Sequence, residues 1–158
     1  IALPMAVWQF DLLFIPRDGH LPVRAQECFD ASTFSSHEAS VAQVWLLDRL
    51  GEPDEMMDDW FVYGSTAGNR VDVVLDEALE GGISARIDAR SRDSEFVNRI
   101  CDLCKLLEAK LFTVELWRLV EASPSAIESA FRCSRAAAYI QDPERFLRDA
   151  VRPGLTPP

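Results

Sequence analysis

The sequence predicts an α+β fold: a mainly antiparallel sheet of 4–5 strands, with three to four helices packed mostly on one face. The first supporting observation is the stretch 69–91, where apolar and polar residues alternate in two runs around Gly81 and Gly82. Such runs are typical of an antiparallel hairpin with one buried and one solvent-facing side. The second is an apolar stripe with helical spacing, made of Phe96, Ile100, Leu103, Cys104, Leu107 and Leu111.

The chain begins with a predicted buried strand over Val7–Ile15, which ends at Pro16. Residues 21–29 fit either a second short strand or an irregular segment. A helix should then start at Ser35 or Ser36, because Glu38 has the spacing of a capping box, and it should end near Leu50 before Gly51. Val41, Val44, Trp45 and Asp48 are predicted to lie on one side of this helix, with Leu47 adjoining.

The middle of the chain is predicted to supply most of the sheet. Residues 52–59, EPDEMMDD, form an acidic loop, and a strand begins at Trp60–Tyr63. Gly64–Asn69 then turns the chain into the hairpin. This glycine-containing loop lacks the lysine of a phosphate-binding P-loop, so a hairpin connection is favoured over an anion cradle.

The second half is predicted to be mainly helical. A long amphipathic helix covers Ser91–Lys110, and residues 112–120 have the composition of a strand. Ser123-Pro124 begins a helix that runs to about Ile140, and Asp142-Pro143 repeats this start signal for a short helix over Glu144–Val151.

The length fits one domain, which we place at residues 5–152. Residues 1–4 are interpreted as an addition before a natural start at Met5, and residues 153–158 as a flexible tail. No apolar run reaches the ~18 residues of a membrane span, and the start lacks the pattern of a signal peptide. The sequence therefore predicts a cytoplasmic protein that does not enter membranes.

The chain is strongly acidic, with 26 acidic and 16 basic residues and a net charge of −10. Such a surface repels phosphate backbones, so nucleic acid is not expected as a partner. It suits a protein partner, in particular a basic one. A homodimer stays open as an alternative, because an exposed strand edge at Trp60–Tyr63 would favour self-association.

The sequence contains no recognisable catalytic set. The motif Cys101-x-x-Cys104 lies about two turns inside the predicted helix, whereas a redox pair needs its first cysteine at a helix N-terminus. We therefore predict core thiols, reduced like Cys28 and Cys133. His20 and His37 are predicted to be surface loop residues, and we expect no metal and no cofactor.

Two groups of residues are candidates for binding. The acidic segment combines carboxylates with large apolar side chains, as protein-binding patches do; it contributes Asp54, Glu55, Met57, Asp58, Asp59 and Trp60. The polar face of the hairpin contributes Asp72, Arg86, Asp88 and Arg90. A solvated loop and ordinary cross-strand ion pairs explain the same residues without function. An enzyme acting on a small molecule or a phosphate ligand through Asp72 and Asp88 is a further alternative.

Part of the chain resembles a known class of proteins. A glycine-containing loop leads into NRVDV, followed by GGISARIDAR, an amphipathic helix and SRAAAYIQDPERFL. This arrangement, over Gly64–Leu147, resembles small acidic uncharacterised proteins of proteobacteria, some of which look like immunity proteins for secreted toxins. The resemblance implies a cytoplasmic, antitoxin-like binder without catalysis, and it assigns no binding residues.

Overall fold

The structure is a computed structural model that describes residues 6–25 and 28–151. Its strands are β1 (Gln9–Ile15), β2 (Val23–Ala25), β3 (Cys28–Asp30), β4 (Asp54–Met57), β5 (Trp60–Gly64), β6 (Arg70–Leu75), β7 (Gly81–Asp88), β8 (Lys110–Thr113) and β9 (Arg118–Val120). Its helices are α1 (Ser36–Leu50), α2 (Ser94–Leu106), α3 (Pro124–Arg132), α4 (Arg135–Gln141) and α5 (Pro143–Val151). The predictions about residues 1–4 and 153–158 and about the Cys28 thiol lie outside the described residues.

The α+β class and the antiparallel sheet are confirmed, but the predicted number of elements is too low. A sheet of 7 strands has the order β4-β5-β6-β7-β1-β8-β9, and β2 and β3 form a separate hairpin. The described residues contain five helices. The run predicted as one strand over 112–120 folds back as β8 and β9, and the helix predicted over 123–140 is interrupted where Ser134 caps α4.

The helices cover one face of the sheet, as predicted. The strand residues that join the main hydrophobic core all point to that face, and β1 gives Phe10, Leu12 and Phe14 to it. Residues from α1, α2, α3 and α4 belong to the same core, and Phe131 of α3 meets Phe10 edge to face at 5.8 Å. The opposite face of the sheet therefore lacks these helices.

Helix α1 starts and ends where the sequence predicted. Ser35 and Glu38 form the capping box, and Gly51 ends the helix with a φ of 86°. The predicted side is wrong in part, because Trp45 packs against the core but Val44 and Leu47 are exposed. The residues that the helix buries against the sheet are Ala39, Ala42 and Leu46, two of which are too small to dominate a hydrophobicity pattern.

The position of the hairpin turn also differs from the prediction. The turn lies at residues 76–80, where the side chain of Asp76 accepts hydrogen bonds from the backbone of Ala78 and Glu80. Gly81 instead begins β7 and pairs with Phe34. A Cβ atom at Gly81 would lie 3.2 Å from the Cβ of Ala39, so this glycine allows α1 to approach the sheet closely.

The segment predicted as an acidic loop is partly a strand. Asp54–Met57 forms β4, which pairs with β5 through an irregular register between Glu55 and Met57. Strand β5 is therefore covered, and the open edge predicted at Trp60–Tyr63 lies at β4 instead. This edge is short, charged and irregular, three features that oppose edge-to-edge association. No described helix is long and apolar enough to cross a membrane.

Candidate functional site

The polar face of the hairpin is not solvent-facing, which corrects the prediction. Asp72 is only 7% exposed and Asp88 only 3% exposed. These residues alternate with core residues along β6 and β7, so they lie on the sheet face opposite the helices. Their charges are buried there, and buried charges need partners.

Arg86 has its partner on the neighbouring strand. Its Nε and Nη2 atoms donate hydrogen bonds of 2.9 and 3.1 Å to the two carboxylate oxygens of Asp11, directly opposite on β1. Both side chains are 11% exposed. Burial by itself would lower the pKa of Arg86, but the bonds to Asp11 outweigh it and raise the pKa above its ordinary value. The pair is thus a fixed, charged part of the sheet.

Asp72 lies between an arginine and a tryptophan. One carboxylate oxygen is 2.9 Å from Nε of Arg70, without the alignment of a hydrogen bond, and the other accepts a 3.0 Å bond from the indole N–H of Trp60. Burial raises the pKa of Asp72, and the opposing effects of Arg70 and Trp60 are smaller. The structure therefore brings together the predicted site residues Trp60, Asp72 and Arg86.

Asp88 and Arg90 form a second, separate unit. The Asp88 carboxylate accepts bonds from Nε of Arg90 at 3.0 Å and from Nη2 at 2.8 Å, and also one from the Arg90 backbone. The guanidinium lies 4.3 Å above the ring of Trp8, a cation–π contact. These bonds from Arg90 lower the pKa of Asp88. The unit also holds the loop 64–69, because Asn69 accepts a bond from the Asp88 backbone.

A cleft opens beside Trp60 on this face. It has a volume of about 620 Å³ and is lined by Met57, Asp58, Asp59, Trp60, Asp72, Val74 and Ser84. Met57 is 69% exposed at its rim, and Val74 is also exposed. Five of the ten predicted binding residues thus line one cleft. Asp54 and Glu55 lie on the adjoining edge strand, and Arg86, Asp88 and Arg90 are not part of its lining.

A second cavity of about 360 Å³ adjoins the cleft, with Val74 and Ser84 common to both. Its wall is formed by residues 30–33, which are the end of β3 and the segment that follows it, and its floor includes Leu13 and Gly82. Two backbone hydrogen bonds between Phe34 and Gly81, of 2.8 and 2.9 Å, hold this wall against β7. The two cavities therefore lie side by side across the strands of the sheet.

Sequence reasoning missed Asp11 and Arg70 as members of the charged cluster, and Val74 and Ser84 as lining residues. One signal was present for Asp11, since a single carboxylate inside the apolar run QFDLLFI requires a partner. Nothing in the sequence indicated that partner, because Arg86 lies 75 residues away.

The remaining motifs do not form a catalytic centre in the described part of the chain. Cys101 and Cys104 are buried as predicted, and burial raises the pKa of Cys104 to about 11, so this thiol stays protonated. His20 is exposed in a loop, whereas His37, predicted in a loop, is exposed on α1. No group of three or more His, Cys, Asp or Glu side chains suited to a metal occurs among the described residues.

The loop 64–69 is a hairpin connection, as favoured from the sequence. The backbone N–H of Ser65 donates to the carbonyl of Asn69, and that of Gly68 donates to Ser65. Arg70 donates to the Thr66 carbonyl at 2.8 Å. Arg90 also donates to the Ala67 carbonyl, so bonds within the loop and from the two neighbouring arginines fix its conformation.

Comparison with known proteins adds no constraint on this site. No family model, no curated protein and no solved structure matches this chain.

Proposed function

We propose that this protein is a non-enzymatic binding module for a basic protein, and that it is an immunity, or antitoxin-like, protein of the cytoplasm. The observation that carries the proposal is the cleft beside Trp60. It combines exposed apolar side chains with the carboxylates of Asp58 and Asp59 on the sheet face opposite the helices. Such a site offers apolar anchors for affinity and charge for orientation.

The charges of the hairpin β4–β5 support a basic partner. Asp54, Glu55, Asp58 and Asp59 are all exposed, and the whole chain carries a net charge of −10. A surface of one sign accelerates the encounter with a partner of the opposite sign, in a manner that salt suppresses. A toxin that acts on nucleic acid would have such a basic surface.

An enzyme acting on a small molecule is the second candidate, and it is favoured because the cleft lies next to the carboxylate of Asp72. A cavity next to Asp72 is what such an enzyme needs, and the raised pKa of this buried carboxylate suits proton transfer. A phosphate ligand is disfavoured, because three carboxylates line the cleft and Arg86 is already paired with Asp11. A homo-oligomeric module is the third alternative, although two copies would bring the acidic β4 edges together.

The test is to reverse the charges of the hairpin with D54K, E55K, D58K and D59K in one variant. Wild-type protein, used as bait in a lysate of the source cells, should retain a stoichiometric basic protein at low salt and release it at high salt. The variant should lose this partner, and its association rate should fall by about tenfold or more. Retention equal to that of the wild type would contradict the proposal.

A matched control carries the same change in charge at four exposed carboxylates outside the cleft: Asp18, Asp102, Glu121 and Glu144. Because the control has the same net charge, loss of the partner in both variants would indicate unspecific attraction. Loss in the hairpin variant alone would assign the interaction to the β4–β5 hairpin that borders the cleft. Screening of small molecules against wild type and D72N tests the enzyme candidate, which predicts turnover that the substitution removes.

A further inference from the structure

Two adjoining cavities lie across the strands on the sheet face opposite the helices, and together they outline a groove. They meet at Val74 and Ser84, and between them the strand β7 presents Gly82. Gly82 lies opposite Val74, and a Cβ atom built on it would have no other atom within 4 Å. The groove therefore exists because β7 carries its smallest side chains where neighbouring strands carry larger ones.

The groove has the length of a short extended peptide. It begins at Trp60 on β5, crosses β6 and β7, and ends over Leu13 on β1. Three spacings between neighbouring strands amount to about 14 Å. An extended chain rises about 3.3 Å per residue, so about five residues span this distance, and their first, third and fifth side chains point the same way.

Carboxylates flank both ends of the groove, and its middle is apolar. Asp58 and Asp59 lie at the Trp60 end, and Asp30 lies at the other end, with Asp76 and Glu80 along the side. The Asp30 carboxylate is mostly exposed, and the imidazole of His20 lies 4.0 Å from it. The wall and the turn are fixed by the Phe34–Gly81 bonds and by the bonds that Asp76 accepts. A ligand thus meets a preformed site that requires positive charge at both ends.

We propose that this groove binds an extended segment of the basic partner, about five residues long, with cationic side chains at its two ends and an apolar side chain between them. The cations lie near Asp59 and Asp30, and the apolar side chain packs on Val74 and Gly82. This inference rests on the proposed function, since it specifies which part of the partner enters the cleft.

The test uses a synthetic peptide, acetyl-Arg-Ala-Leu-Ala-Arg-amide, added to the full chain labelled with ¹⁵N. The indole N–H resonance of Trp60 reports on the groove, and it is assigned by its loss in Trp60→Phe. We expect saturable shifts of this resonance, much smaller shifts when the central leucine is replaced by glycine, and none with glutamate in place of both arginines.

Gly82→Leu is the decisive variant, because a Cβ atom at this glycine meets open space and the leucine side chain should project into the groove. Its affinity for the peptide should fall about tenfold or more, as expected when a central contact is blocked. The control Ser40→Leu adds the same bulk to an exposed position on α1 and should bind as the wild type does. Thermal unfolding of both variants checks that they remain folded.

The outcomes separate this inference from the proposed function. Peptide binding that is unchanged in Gly82→Leu, or no shift of Trp60 at millimolar peptide, overturns the groove as the binding site. If the hairpin charge reversal still abolishes capture of the cellular partner, the proposed function stands without it. If neither the hairpin charge reversal nor Gly82→Leu affects capture of the cellular partner, both proposals fail.

Discussion

At the scale of single residues, the main feature is the bidentate pair between Asp11 and Arg86. Both side chains are 11% exposed, so removal of one partner leaves an unpaired charge in the sheet. We predict that Arg86→Gln lowers the free energy of unfolding by about 3–5 kcal/mol, the cost typical of breaking a buried ion pair. Urea denaturation followed by circular dichroism measures this change.

An exposed pair in the same protein provides the control. Arg17 and Glu108 lie 3.1 Å apart, with both side chains 70% exposed. Because solvent screens such a pair, Arg17→Gln should change the free energy of unfolding by less than about 1 kcal/mol. Equal effects of the two substitutions would show that the Asp11–Arg86 pair is not effectively buried.

At the scale of elements, two adjacent glycines in β7 have opposite surroundings. A Cβ atom at Gly81 would lie 3.0 Å from Cδ2 of Leu75 and 3.2 Å from Cβ of Ala39, whereas one at Gly82 meets open space. Gly82→Ala should stabilise the protein by about 0.4–1 kcal/mol, because it restricts the unfolded chain. Gly81→Ala should destabilise it, because α1 must move away from the sheet.

The matched glycine variants are compared by their urea midpoints. Each serves as the control for the other, since both replace a glycine by alanine in the same strand. If both variants are destabilised, the space above Gly82 is not open, and Gly82→Leu loses its value as a test of the groove.

The same elements show how far the sequence could predict the fold. Local signals located α1 well, because the capping box of Ser35 and Glu38 and the stop at Gly51 depend only on neighbouring residues. Strand β4 was missed, because four exposed residues form a strand only through pairing with β5. This pairing places Met57 beside Trp60, and the pairing of β5 with β6 adds Asp72 to the cleft.

The polar face of the hairpin shows why the site could be predicted only in part. Alternation along β6 and β7 correctly placed Asp72 and Arg86 on the face away from the core. It could not reveal that this face is buried, since Asp11 comes from β1, far away in the sequence. Charged residues in alternating runs are thus consistent with either a solvent-exposed face or a buried face whose charges form ion pairs.

At the scale of the whole molecule, the sheet separates two kinds of stabilisation. The helix-covered face is apolar, and the other face contains ionised groups whose pKa values are shifted in opposite directions. These shifts couple folding to pH, because a group that binds protons differently in the folded and unfolded states changes stability as it titrates. The two aspartates should therefore leave opposite signatures in one pH profile.

The pKa of Asp88 lies below its ordinary value of 3.8 because Arg90 binds the carboxylate, so its contribution is present above that value and is lost as the pH falls through the lowered pKa. The pKa of Asp72 lies above 3.8 because the group is buried, so its ionisation costs stability as the pH rises from 3.8 through the raised pKa. Urea unfolding of wild type, D88N and D72N between about pH 2 and pH 7 tests both signs. The stability advantage of wild type over D88N should grow with pH, whereas its advantage over D72N should shrink. Parallel profiles for the two variants would contradict this account, because they would mean that both carboxylates titrate alike on this face of the sheet.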